Sequence, residues 1–232
     1  MSLGKLYVIA TPIGNLKDIT FRAQEKLKEV EVILCEDTRQ TRKLCQAWQI
    51  NSPLISYHQH SKIKKLKEIS HLISQGKNLA LVSDAGTPGI SDPGHKLINY
   101  LLKEYNSLEI IPLPGPSALS AILSISDFPV DRFVFLGFLP LKKKRKKFLK
   151  QISESEYPVV FFESPHRILK TLTELNNFFK LKNPRILVGR ELTKKFETIY
   201  RGTIKEVQDM IQQHSLKGEF VIVVNSTKKY LI

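Results

Sequence analysis

Cysteine is scarce in this sequence: Cys35 and Cys45 stand alone, with no nearby third and fourth ligand. Zinc-site spacing is therefore missing, and ordinary reduced thiols are expected. Long apolar runs are missing too. No stretch approaches the roughly 18 residues of a spanning helix, and the opening Met1-Ser2-Leu3-Gly4-Lys5-Leu6-Tyr7 lacks the basic-then-apolar order of a signal peptide. A cytoplasmic location with no membrane partner is expected. Neither GxGxxG nor GxxxxGK[ST] occurs, which removes support for nicotinamide cofactors and nucleoside triphosphates. Acidic residues are in deficit, 22 Asp and Glu against 36 Lys and Arg, a net charge of +14. Such an excess favours a polyanionic partner through counterion release, although a solvated Lys-rich surface gives the same total.

What is present is an ordinary globular balance, 42% hydrophobic and 25% charged over 232 residues, enough for two modest cores. Short apolar runs alternate with helical patterns. Leu6 to Ala10, Val32 to Leu34, Leu54 to Ile55, Leu79 to Val82 and Glu109 to Pro112 predict parallel strands. Phe21 to Val30, Lys62 to Ile73 and Lys96 to Leu102 place apolar residues three and four apart, as helices covering that sheet do. After Pro114-Gly115-Pro116-Ser117 a small-residue helix is expected to about Ile125, and Ser126-Asp127-Phe128-Pro129 breaks it. That puts a domain boundary at 127/128, giving an α/β domain over 1–127 and a second over 128–232. The second half resumes with strands at Phe133 to Leu136, Pro158 to Phe162, Arg185 to Val188 and Phe220 to Val224. The unbroken basic run Lys142 to Lys147 is expected to be exposed throughout, since adjacent cations cannot all be paired in a core.

Chemistry concentrates in strand-end loops. Ser83-Asp84-Ala85-Gly86-Thr87-Pro88-Gly89-Ile90-Ser91-Asp92-Pro93-Gly94 follows an apolar strand, and its glycines permit close backbone approach to a ligand. Asp92 and Pro93 suit an N-cap and a first helical position; a plain turn and cap is the bland alternative. Thr11-Pro12-Ile13-Gly14-Asn15 and Pro114-Gly115-Pro116-Ser117 have the same character, so one sheet edge is expected to carry one site. In Cys35-Glu36-Asp37-Thr38-Arg39, the arginines Arg39 and Arg42 are candidates for phosphate or carboxylate, while Glu36 and Asp37 orient them or cap a helix. His58 and His60 without a third ligand read as polar loop residues, so no metal is expected. In Phe162-Glu163-Ser164-Pro165-His166-Arg167, Glu163 is a candidate to accept a proton or fix Arg167, His166 a candidate donor, and helix capping the alternative. Arg190 and Lys194 follow the next strand and are candidate RNA contacts.

Taken in order, Ala10 to Thr20, Glu36 to Arg39, Ser83 to Gly94, Pro114 to Ser117, Gly137-Phe138-Leu139-Pro140, Glu163 to Arg167 and Arg190 to Lys194 resemble the tetrapyrrole-methylase-like, or class III, methyltransferases. Within them the resemblance is to bacterial enzymes that methylate the ribose 2′-oxygen of a cytidine in the decoding region of 16S ribosomal RNA. It covers nearly the whole chain. It implies a two-domain α/β fold, a parallel-sheet N-terminal domain and a smaller mixed-sheet C-terminal domain, with S-adenosylmethionine in the cleft between them, and a homodimer acting on 16S ribosomal RNA or the small ribosomal subunit. By position, the cofactor contacts implied are Ile13, Ala85, Gly86, Thr87, Ile90, Ser117 and Ala118 from the first domain, and Phe162, Leu192, Gly218 and Glu219 from the second. Glu163, His166 and His58 are the candidate bases by type. Arg39, Arg167, Arg190, Lys194 and the 142–147 run are the candidate phosphate contacts. Where the family often carries Asn-Glu after Tyr57-His58, this chain has Ser61-Lys62. Two other readings stand beside this one: a tetrapyrrole C-methyltransferase of the same fold, which the Ser83 to Pro88 loop and the Glu163 to Arg167 segment disfavour, with the basic charge a minor part, and a non-catalytic RNA-binding ribosome-assembly factor.

Overall fold

The computed structural model describes residues 2–58, 60–179 and 183–226. Contacts divide the chain into two compact units, Met1–Ser117 and Ala118–Ile232. The division falls earlier than the 127/128 position expected from the Ser126 to Pro129 break.

The first unit is a five-stranded parallel sheet of order β3-β2-β4-β1-β5. Its strands are β1 (Leu6–Ile9), β2 (Val32–Cys35), β3 (Leu54–Ser56), β4 (Leu79–Leu81) and β5 (Ile110–Leu113). The strands are almost continuously apolar because both faces are covered, as a parallel sheet requires. One face carries Ile9, Ile33, Cys35, Ala80 and Val82 against Ala23 and Leu27 of α1 (Phe21–Glu29) and Leu44 and Cys45 of α2 (Thr38–Ala47). The other carries Leu6, Val32, Leu34, Leu79 and Leu81 against Ile69 and Ile73 of α3 (Ile63–Ser74) and Leu97 and Leu101 of α4 (Gly94–Glu104). The two sets alternate along each strand because side chains alternate faces. Each fully buried leucine or isoleucine contributes about 1.5–3 kcal/mol relative to exposure.

Helix starts follow local capping. Thr20 caps α1, its side chain accepting from the Ala23 amide at 3.2 Å, and Asp37 caps α2, accepting from the Arg39 amide at 2.8 Å. The expected cap of α4 is shifted. The helix begins at Gly94 with Pro93 as its cap residue, and Asp92 Oδ1 reaches forward to the Gly94 amide at 2.8 Å while also accepting from Gly89 at 2.7 Å.

The second unit is a mixed sheet of order β6-β7-β10-β8-β9. Its strands are β6 (Val134–Phe138), β7 (Val159–Glu163), β8 (Arg185–Arg190), β9 (Thr198–Thr203) and β10 (Phe220–Val224). β6 and β7 are parallel; β10 is antiparallel to both β7 and β8, and β9 is antiparallel to β8. Strand β9 was not anticipated from sequence, since Thr198-Ile199-Tyr200-Arg201-Gly202-Thr203 alternates weakly and carries a glycine. On one face α6 (Arg145–Glu154), α7 (Ile168–Phe179) and α8 (Ile204–Gln212) pack against Phe161, Val188, Phe220 and Ile222. On the other, Ile122 of α5 (Ala118–Ser124) packs with Val160, Leu187, Val221 and Val223, which is why α5 groups with the second unit.

Candidate functional sites on the two sheet edges

The carboxyl edge of the first sheet gathers the predicted loops into one surface. Thr11 and Gly86 exchange backbone hydrogen bonds of 2.9 and 3.0 Å, an isolated bridge between the loops after β1 and β4. The Thr11 hydroxyl donates to the Ser83 carbonyl at 3.0 Å, and the Thr87 hydroxyl donates to the Pro116 carbonyl at 3.4 Å. A methyl group built on Gly115 would lie 3.0 Å from Ala10 Cβ, so the loop after β5 is pressed against the first. Gly86 sits at φ +82°, the left-handed region, with Ile13 Cγ2 3.4 Å from where a Cβ would be. The loop after β2 joins through the Asp37 amide, which donates to Asp84 Oδ1 at 3.0 Å. Ile13, Gly86, Thr87 and the turn at Ser117 are thus brought to one edge, and Ala85 and Ile90 are exposed there. Ser91, at φ +67°, adds a strained backbone position to that loop.

The electrostatics of this edge are acidic in an otherwise basic chain. Burial pushes the Glu36 carboxyl above the usual range, and the negative charges of Asp92 and Asp84 add to the rise. Asp92 Oδ2 is buried without a hydrogen-bond partner. Hydrogen bonds from Arg39 hold Asp37 down to about 2, while the Arg39 side chain remains 85% exposed. His58 is exposed; its Nδ1 accepts from the His60 amide at 3.2 Å, and its own amide donates to the Ser61 hydroxyl at 2.9 Å. Both cysteines are buried thiols. Among the described residues no group of three or more His, Cys, Asp or Glu is arranged to hold a metal, and no helix is long and apolar enough to cross a membrane. A separate cavity of about 530 Å³, lined by Arg42, Cys45, Gln49 and Leu54 among others, lies where the chain enters β3, at the other end of the strands from these loops.

On the second sheet, the ends of β6, β7 and β8 and the start of β10 share an edge. Here the structure corrects several expectations. Glu163 is 1% exposed and fully engaged: Oε1 accepts from Arg167 and from the Ser164 amide, both at 2.7 Å, and Oε2 accepts from the Thr171 hydroxyl at 2.7 Å. A carboxylate so saturated is a structural anchor, not a free base. Arg167 is the partner it fixes, and that guanidinium also donates to the Leu139 carbonyl at 3.0 Å and to Ser164 Oγ at 3.2 Å. Arg190, expected to reach a phosphate, is 7% exposed, and its Nε donates to the Lys217 carbonyl at 2.8 Å. Lys194 bridges Glu191 at 2.8 Å and Glu219 at 3.0 Å. Burial alone would raise the Glu191 pKa, but hydrogen bonds from Lys194 and the Glu219 amide bring it below its usual value. Gly218, at φ +116°, lies so close that a Cβ would be 2.4 Å from Glu191 Cγ. Leu192 is half-buried and packs over Gly189, and Phe162 is half-buried between two other phenylalanine rings. His166 is the exposed member of the Glu163 to Arg167 turn.

The basic run is corrected at its fourth residue. Arg145 is 7% exposed, whereas Lys142, Lys143, Lys144, Lys146 and Lys147 are exposed. Its guanidinium donates to Glu174 at 2.8 Å, to the Thr171 hydroxyl at 2.7 Å and to the Pro140 carbonyl at 3.4 Å, with Glu163 at 3.8 Å. Sequence reasoning missed this residue because the run's charge pattern hides one buried partner of distant carboxylates.

Comparisons with known proteins agree with this architecture. Residues 5–208 match the family model of Tetrapyrrole (Corrin/Porphyrin) Methylases. A ribosomal RNA small subunit methyltransferase I from Synechocystis is 46% identical over 96% of this chain and 79% of its own length. Its counterpart from Thermotoga maritima is 40% identical over 96% and 99%, and that from Escherichia coli O157:H7 is 40% identical over 98% and 79%. Among solved structures, a cobalt precorrin-4 methyltransferase superposes with a TM-score of 0.71 at 18% identity, covering 95% of this chain and 94% of that one. A uroporphyrin-III C-methyltransferase from Thermus thermophilus, complexed with S-adenosyl homocysteine, gives 0.67 at 15% identity, covering 95% and 97%; at these identities the likeness is one of fold. With parallel and mixed sheets in place and near-full-length identities of 40–46%, the chain belongs to the ribosomal RNA small subunit methyltransferase I family of the tetrapyrrole methylases.

Proposed function

We propose that this protein transfers a methyl group from S-adenosylmethionine to the ribose 2′-oxygen of a cytidine in 16S ribosomal RNA. The observation that carries this reading is the near-full-length identity to relatives named for methylation of small-subunit ribosomal RNA. The tetrapyrrole C-methyltransferase reading rests on much more distant relatives, 18% identical or less, which support only the fold.

The residues of the first edge suit the cofactor. Bound S-adenosylmethionine supplies an electrophilic methyl carbon on a cationic sulfur. Glu36, Asp84 and Asp92 create the negative potential that a cationic ligand favours. Ile13, Ala85 and Ile90 offer small or apolar contact, and the Gly86–Thr87 backbone allows close approach. Ser117, Ala118, Phe162, Leu192, Gly218 and Glu219 are proposed as further cofactor contacts, on the strength of their positions in the family's pattern.

Attack of a hydroxyl on a methyl carbon depends above all on alignment and exclusion of water. The proposed role of the Glu163–Arg167 pair is to hold the Ser164–His166 turn rigid. His166, exposed on that turn, is proposed to take the ribose hydroxyl proton; His58 is the alternative from the first unit. Arg39, exposed, and the lysines of the 142–147 run are the proposed phosphate contacts. A homodimer in the cytoplasm is the expected working form, from the family resemblance and the location of the substrate.

The test is transfer of labelled methyl from S-adenosylmethionine to unmodified small subunits, with naked 16S ribosomal RNA alongside and nucleotide mapping of the product. Label on one cytidine ribose is expected. Label on a base, or cofactor binding without transfer to either substrate, overturns the reading, the latter in favour of an assembly factor. His166→Ala is expected to lower kcat by about 100-fold at an unchanged cofactor Kd; no change would shift the assignment to His58.

A further inference from the structure

We propose that Phe138 is a stacking platform for an unpaired base of the RNA substrate, with the exposed lysines that follow it holding the neighbouring phosphates. This rests on the ribosomal RNA reading and adds the surface that recognises the RNA.

The argument begins with the register of β6. Val134 and Phe135 pair with Val159 and Val160, but Phe138 pairs with Phe162, so β6 spends one more residue than β7 over the same span. Gly137 supplies the extra residue at φ +62°, a left-handed conformation that other side chains rarely adopt. Bulges re-aim side chains. In a regular strand Phe138 would point to the face opposite Phe135; the bulge returns it to the side of Phe162. The ring centroids of Phe138 and Phe162 are 5.4 Å apart, and those of Phe135 and Phe162 are 5.1 Å apart. Phe135 and Phe162 are half-buried in that arrangement, yet Phe138 is left 57% exposed.

The segment beyond is clamped. Arg167 donates to the Leu139 carbonyl at 3.0 Å and Arg145 to the Pro140 carbonyl at 3.4 Å, and both guanidiniums are held by the buried Glu163 and its neighbours. Leu139 is 2% exposed. The ring of Phe138 therefore stands exposed on a backbone fixed by Arg167 and Arg145. Immediately after the clamp come exposed Lys142, Lys143, Lys146 and Lys147, with Arg145 between them turned into the core. An exposed aromatic ring followed within a few residues by exposed cations is the combination that binds single-stranded nucleic acid, the ring stacking on a base and the cations following the backbone.

The test measures binding of the full chain to small ribosomal subunits lacking the methyl group, together with its S-adenosylmethionine affinity. Phe138→Leu is expected to weaken subunit binding roughly 5- to 100-fold, and Phe138→Trp to stay within a few-fold of the parent, both with unchanged cofactor affinity. The double change Lys142→Glu, Lys143→Glu is expected to weaken binding and to flatten its dependence on salt. Subunit binding by Phe138→Leu equal to that of the parent overturns stacking, since leucine preserves apolar contact but has no ring. Loss of cofactor affinity in Phe138→Leu overturns it by assigning the ring to the cofactor, and a change in oligomeric mass overturns it by assigning the ring to a contact between copies. A parent protein that binds subunits but transfers no methyl overturns the enzymatic reading while the stacking comparison still stands on binding.

Discussion

The loop edge of the first unit is stitched by backbone amides, carbonyls and hydroxyls with Asp84 and Asp92 as carboxylate acceptors, whereas that of the second is pinned by buried ion pairs. Around Gly86 the ties are backbone amides, carbonyls and the Thr11 and Thr87 hydroxyls. Around Glu163 they are Arg145, Arg167 and Glu174 closing on one another. Each neutral hydrogen bond contributes about 1 kcal/mol net. A buried charge contributes little net stability when paired, because desolvation offsets attraction, yet its loss is severe once a partner is removed. The first edge should therefore tolerate single changes and remain adaptable, as a small-molecule surface can be. The second should fail sharply when cut, which suits a surface that must hold a fixed shape.

The sharpest way to break that contrast is Arg145→Ala. It leaves Glu163 and Glu174 short of a cation, and a loss of about 3–5 kcal/mol is expected by denaturant unfolding. Lys146→Ala, next door but exposed, is expected within about 0.5 kcal/mol of the parent; equal effects at both positions would remove the case for the buried anchor.

Two glycines sharpen the comparison further. Gly218→Ala places a Cβ 2.4 Å from Glu191 Cγ on a backbone at φ +116°, and a loss of about 2–3 kcal/mol is expected. Gly86→Ala meets Ile13 only at 3.4 Å, so its left-handed φ alone should cost about 1 kcal/mol. Thermal unfolding of the two variants should rank them in that order, and the reverse order would contradict the described packing.

The smallest expected effect comes from Glu36. Its folded-state pKa is raised, so ionisation is harder in the folded chain than in the unfolded one. Protonation is thus favoured by folding, and the penalty is absent at acid pH and grows as pH rises through the raised value. Glu36→Gln should therefore raise Tm by about 1–3 °C at neutral pH and by nothing below the ordinary carboxylate range. It should also weaken S-adenosylmethionine binding; a Tm gain that persists at low pH, or tighter cofactor binding, would refute the acidic-edge argument.

Much of the fold was legible because burial writes itself into strands and helix faces. The five strands of the first sheet were readable as short apolar runs alternating with helical patterns, and the glycine- and proline-containing loops after them as the places where backbone approaches closely. Strand β9 was not, since an edge strand half open to solvent carries little apolar signal. The Glu163 to Arg167 turn was recognisable as dense chemistry, and of the two roles open to Glu163 the structure shows the one that fixes Arg167; Arg190, read as a phosphate contact, is buried against the Lys217 carbonyl.

Local sequence determined the elements, the loop chemistry and the family, because side-chain period and motif order are properties of neighbouring residues. Tertiary structure alone decided that Arg145 leaves a lysine run for the core, that Lys194 is taken by Glu191 and Glu219, and that a bulge at Gly137 turns Phe138 toward Phe162. Those outcomes depend on carboxylates and strand registers supplied from elsewhere in the chain, and the sign of a buried charge's contribution is fixed only when its partner arrives.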